Sequence, residues 1–152
     1  MSSGDLLEKV KKLREITGVG FKDCKNALDE TKGNIEKSIE FLRIKGIAKA
    51  SKRMGRIAVE GLVCIYEQNN NFSMIEINSE TDFVAKNNEF INFAEEISKL
   101  ALVNSGKIDD ILDSKMKNKK NVKDNLVDLI SKIGEKISLR RAAFLGESKL
   151  KN

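Results

Sequence analysis

A chain of 152 residues is long enough for one mid-sized domain, or for a small module plus a compact partner domain. Its 40% apolar and 34% charged residues suit a globular protein in water, and no run approaches the roughly 18 consecutive apolar residues that a membrane span needs. The absence of histidine removes Ser-His, Cys-His and His-metal chemistry together. Cys24 and Cys64 form no CxxC pair, so neither a metal site nor a redox pair nor a cofactor is expected, and both thiols read as reduced and largely buried. The acidic residues are scattered, and adjacent pairs such as Glu95-Glu96 and Asp109-Asp110 cannot share a helix face. The chain does not read as an enzyme. Its polar start, Met1-Ser2-Ser3-Gly4-Asp5, lacks the pattern of a secretory signal, which points to the cytoplasm.

In chain order, Leu6, Val10 and Leu13 mark a first amphipathic helix, broken by Gly18-Val19-Gly20. Phe21, Cys24, Ala27 and Leu28 mark a second, and Ile35, Ile39 and Leu42 a third. Residues 1–45 therefore read as a three-helix module. Residues 46–55, small and basic, read as a linker. The net charge of +5 is concentrated here: residues 1–55 hold 13 Lys and Arg against 8 Asp and Glu, and the remainder 15 against 15. Arg43, Lys45, Lys49, Lys52, Arg53 and Arg56 form a stripe that could meet nucleic acid or an acidic surface, or could simply be a solvated connector.

Residues 56–152 read as a second unit. The run 58–66 is strand-like, 68–71 is a turn cluster, and 72–77 alternates as a returning strand, which together make an antiparallel hairpin. Phe90, Phe93, Ala94, Ile97, Leu100 and Ala101 mark a helix over about 88–104. A short helix is expected around Ile108, Ile111 and Leu112, and a mobile polar loop over 115–121. Val122, Leu126, Leu129, Ile130 and Ile133 mark a further helix ending at Gly134, and 137–145 a third strand. The class is α+β: a three-helix module, then a small antiparallel sheet with helices packed on one face.

Between the second strand and its following helix lies Thr81-Asp82-Phe83-Val84-Ala85-Lys86-Asn87. It places an aromatic at a polar corner, flanked by residues that cap helix starts. This segment, with Ile77-Asn78-Ser79-Glu80 before it, resembles the signature of the elongation factor Ts family. Residues 10–28, around Gly18-Val19-Gly20-Phe21-Lys22, are similar to that family's first segment, and 132–141, around Gly134-Glu135-Lys136, to a later block. The first module also resembles ubiquitin-associated three-helix modules.

The family resemblance implies a guanine-nucleotide exchange factor that binds elongation factor Tu, in its GDP-bound and nucleotide-free states, and promotes GDP release. On this resemblance Asp82 and Phe83 enter the GTPase and disturb its Mg2+ and phosphate site. Thr81 and Asn87 would fix the corner, Val84 and Ala85 pack beneath it, and Lys86 pair with a partner or face solvent. Arg14, Phe21 and Lys22 would dock on another part of the GTPase, and Gly134 with Glu135 would approach it again. The residues themselves also allow Phe83 or Phe21 as core anchors and Gly134 as a helix cap. Family members usually continue past the third strand, whereas 146–152 is a short polar tail, so a truncated or minimal form that pairs with a second copy is expected. The rival functions are a protein-interaction module without exchange activity and a basic RNA-associated protein. No specific nucleic acid or membrane partner is expected.

Overall fold

The computed structural model describes residues 3–146. Three helices open it: α1 (Ser3–Thr17), α2 (Phe21–Glu30) and α3 (Ile35–Arg53). Val10, Leu13, Cys24, Ala27, Leu28 and Leu42 close a small core between them. α3 starts where the Asn34 side chain accepts the Lys37 N–H at 2.9 Å, an ordinary N-cap.

The stretch 46–55 is for the most part not a linker. α3 runs on to Arg53, and its second half packs on the other unit. Ala50 belongs to the larger core, the Arg53 guanidinium donates to the Ile130 carbonyl at 3.2 Å, and Gly46 lets α3 approach Ser131 and Val127. Small residues on that face signalled a close helix contact as much as a boundary. One rigid helix thus serves two cores.

The rest is a three-stranded antiparallel sheet in the order β1 (Glu60–Gln68), β2 (Asn71–Ser79), β3 (Ser138–Leu145). Asn69 and Asn70, both with positive φ, make the tight turn that the right-handed strand twist favours. Between β2 and β3 the chain forms α4 (Asp82–Ala85), α5 (Asn88–Val103), α6 (Ile108–Asp113) and α7 (Val122–Ile133). Ile75 and Ile77 of β2 face Phe90, Phe93, Ala94, Ile97 and Ala101 of α5, so the predicted stripes meet in one core. The opposite sheet face carries Val63, Ile65, Phe72, Met74 and Leu145, all exposed.

The segment 115–121 is a folded turn and not an open loop. Met116 is buried, its N–H donates to the Lys120 carbonyl at 2.8 Å, and Lys115 bridges Asn121. One apolar side chain among many lysines was enough to anchor it. Of the polar tail 146–152, all but Gly146 lies outside the described residues.

Candidate functional site

β2 ends at Ser79, and the chain must turn immediately into α5. It does so through α4, a single helical turn that is too short to be stable alone. The Thr81 hydroxyl accepts the Val84 N–H at 3.4 Å, and the Asn87 side chain accepts the N–H groups of Glu89 and Phe90 at 2.9 and 3.3 Å. Two caps thus bracket one turn. Ala85 is buried and Val84 half-buried against the core, so the corner is fixed from below.

Phe83 is 82% exposed, which removes the core reading for it. Asp82 stands beside it, paired with Lys86 at 3.2 Å, both side chains in solvent. Lys86 is therefore already engaged within the corner, in an exposed pair of little energetic weight. An open groove beside Phe83 is lined by Val84, Ile133, Asn87, Glu89, Lys132 and Glu135.

Two carboxylates hold the corner to the loop after α7. Glu135 accepts the N–H groups of Glu80 and Thr81 at 3.1 and 3.0 Å and the Thr81 hydroxyl at 2.8 Å. Glu80 accepts the Lys136 N–H at 2.7 Å and an Arg56 N–H at 3.3 Å. The Lys136 N–H, then the Arg56 guanidinium, hold the Glu80 carboxyl below its ordinary range. Gly134 delivers Glu135 to this position: with φ +86 it ends α7 in the left-handed conformation, its N–H on the Ile130 carbonyl at 2.9 Å.

Arg14, Phe21 and Lys22 are exposed on the helical module, away from this network, with Phe21 at 46%. The Gly18 loop that they bracket lies against Lys132, and Lys132 bonds Glu89, which also borders the Phe83 groove. The loop and the corner thus meet at one ion pair. The basic stripe is largely engaged internally: Arg43 pairs with Glu40 at 2.8 Å, Lys45 and Lys49 with Asp23 at 2.9 and 3.0 Å, and Arg56 with Glu80. Hydrogen bonds from Lys45 and Lys49 hold the Asp23 carboxyl below its ordinary value. Among the described residues no cluster of Cys, His, Asp and Glu suits a metal ion, and no helix is long and apolar enough to cross a membrane.

The bonds of Glu80 and Glu135 across some fifty residues were not read from sequence. Their only signal is that both residues lie in the blocks that carry the family resemblance, because a carboxylate bond between two distant loops leaves no spacing pattern along the chain.

A sequence model described as Elongation factor TS matches residues 80–151, a span that contains both the corner and Glu135. The elongation factor Ts of Malacoplasma penetrans is 44% identical over 93% of this chain and 48% of its own length. That of Methylobacterium sp. is 46% identical over 91% of this chain and 46% of its own, and that of Maricaulis maris 46% over 90% and 44%. The chain spans about half the length of the curated relatives it matches. The resemblance to the elongation factor Ts family carried by the three sequence blocks is thereby established over nine tenths of this chain.

Proposed function

We propose that this chain acts in translation elongation as a guanine-nucleotide exchange factor, not a catalytic enzyme, binding a GTPase of the elongation factor Tu kind and promoting GDP release. The observation that carries the reading is Phe83, 82% exposed on a doubly capped turn in a chain similar to elongation factor Ts. Exchange requires linkage: a factor that weakens nucleotide binding is itself bound more weakly when nucleotide is present. It must therefore press on a part of the GTPase that moves when nucleotide and Mg2+ leave. Burying the Phe83 ring in the partner would favour the displaced state by about 2 to 3 kcal/mol, a bias of roughly 30- to 150-fold. Asp82 beside it would add negative charge near the Mg2+ and phosphate site.

In this reading residues 1–45 are a docking module of the ubiquitin-associated kind, using Arg14, Phe21 and Lys22. Residues 56–152 are the body that carries the wedge, the end of α3 joining the two in place of a linker. The cytoplasm is the expected compartment. The internal pairing of the basic stripe disfavours the RNA-associated alternative. A homodimer is also proposed, because Val63, Ile65, Phe72, Met74 and Leu145 leave an apolar sheet face open that a second copy would cover.

The test is release of labelled GDP from elongation factor Tu with and without this chain. Accelerated release is expected, and unchanged release overturns the reading. Sedimentation of the wild type against Ile65→Lys tests the dimer; a wild-type monomer at high concentration removes it.

A further inference from the structure

The wedge carries its own weakness. α4 is four residues long, an exposed aromatic gains nothing from the fold, and the Asp82–Lys86 pair lies in solvent. Something outside the turn has to fix the direction in which Phe83 points.

The geometry points to Glu135 as the positioning residue of the Asp82–Phe83 wedge: one carboxylate, presented from the loop after α7, holds the backbone of Glu80 and Thr81 and the cap of α4 together. This rests on the exchange reading for its functional consequence, but not for its geometry. Oε1 receives two successive backbone N–H groups and Oε2 receives the Thr81 hydroxyl. Because that hydroxyl accepts the Val84 N–H, its single proton is left for Glu135, so the cap of α4 and the clasp are one chain of bonds. The bonds are charge-assisted on the acceptor side, the stronger kind. Glu80 returns the contact by accepting the Lys136 N–H, and Lys136 Nζ donates to the carbonyls of Met54 and Arg56 at 2.8 and 3.0 Å. Three segments far apart in sequence are thus stitched behind Phe83, and Glu135 is the member that touches the wedge's own cap.

The acceptor pattern makes the chemistry separable from the bulk. Both backbone N–H groups use Oε1, which a glutamine keeps. A glutamine amide on the other side would meet the Thr81 oxygen as a donor and rearrange one bond only. Alanine removes all three. Loss of a clasp that orders the free chain lowers the fraction competent to bind, which raises the apparent dissociation constant in proportion.

The experiment measures GDP release from elongation factor Tu against concentration of wild-type chain, Glu135→Ala, Glu135→Gln, Thr81→Val and the Glu135→Ala, Thr81→Val double variant, with amide hydrogen exchange of each free chain. For Glu135→Ala, half-maximal release should need about tenfold more chain or beyond, the size of one lost bond to a charged group, with maximal release little changed. The amides of Glu80 and Thr81 should exchange faster by a similar factor, Glu135→Gln should recover most of both, and the effects of Glu135→Ala and Thr81→Val should fall short of adding. Unchanged Glu80 and Thr81 amides in Glu135→Ala overturn the proposal. So do additive effects, or equal losses in the alanine and glutamine variants, which would make Glu135 a direct charge contact with the partner. If the wild type does not accelerate release, the exchange reading fails by itself, and the amide measurements still decide the clasp. If the alanine variant does not fold, the glutamine variant and Thr81→Val carry the same comparison.

Discussion

Phe83 and Phe21 are both held out to solvent, 82% and 46% exposed, yet by opposite means. The Phe21 loop is braced by its neighbours: Gly18 N–H on the Arg14 carbonyl at 2.8 Å, Val19 N–H on the Thr17 hydroxyl at 3.3 Å, Cys24 Sγ on the Val19 carbonyl at 3.4 Å. These three bonds span five residues or fewer. The Phe83 corner combines local caps with bonds from Glu135, Lys136 and Arg56, and stands on a sheet whose third strand arrives sixty residues later. A locally braced loop can keep its shape when the rest of the molecule is perturbed. A corner built by tertiary contacts cannot.

The strongest test of that difference attacks the foundation of the corner. Gly61 pairs with Asn78 with φ +143, and a Cβ there would lie 2.0 Å from the Ile77 carbonyl oxygen. Gly61→Ala should cost about 3 kcal/mol or more through strain and clash, read by chemical denaturation. It should loosen the corner and abolish accelerated GDP release while amide protection within α1 and α2 persists. Equal loss of protection in both regions would show that the two cores unfold as one.

Next in size, Phe83→Ala should lower the GDP release rate by roughly 30- to 150-fold at fixed concentration, with circular dichroism and thermal midpoint nearly unchanged, because the ring contacts little of its own chain. A release rate within twofold of wild type would remove Phe83 as the wedge. Phe21→Ala should be milder: the half-exposed ring has less surface left for a partner, and about a five- to tenfold weaker complex with elongation factor Tu is expected. Normal affinity would leave Phe21 as packing for the helical module.

The same contrast explains what sequence reading reached. α1, α2 and α5 have apolar stripes at helical spacing that continue into the core without interruption, so the spacing places α2 and α5 within a residue or two and the end of α1 at its glycine break. The caps Thr81 and Asn87 act within three residues, so they were legible too. The second half of α3 was missed because it has no single apolar stripe: Gly46 and Ala50 are buried while Ile44 and Ile47 are exposed. Met116 was missed because one buried residue makes no period. Glu135 could be placed near the site only through the family resemblance, since nothing in its neighbours encodes a bond to Thr81.

The smallest expected effect is also the one that separates the regions in solution. Glu80 belongs to the corner, and its carboxyl is lowered from an ordinary 4.5 by the Lys136 N–H and Arg56. Asp23 belongs to the helical module, and it is lowered from 3.8 by Lys45 and Lys49. A carboxyl whose folded value is depressed stabilises the fold above its unfolded value, and that contribution disappears as pH falls through the folded one. On acidification each tie therefore loses its contribution as pH falls through the lowered carboxyl value, Glu80 within the corner and Asp23 between α2 and α3. Each tie is partly exposed, so each is worth about 1 kcal/mol or less. Nuclear magnetic resonance can follow the Lys136 amide, whose proton sits on Glu80, against the amides around Asp23. Each signal should move in a single acid transition, and Lys49→Ala should shift the Asp23 transition upward while leaving the Lys136 titration in place. A Lys136 transition displaced by Lys49→Ala would mean that the two regions are coupled through α3, which packs on both cores.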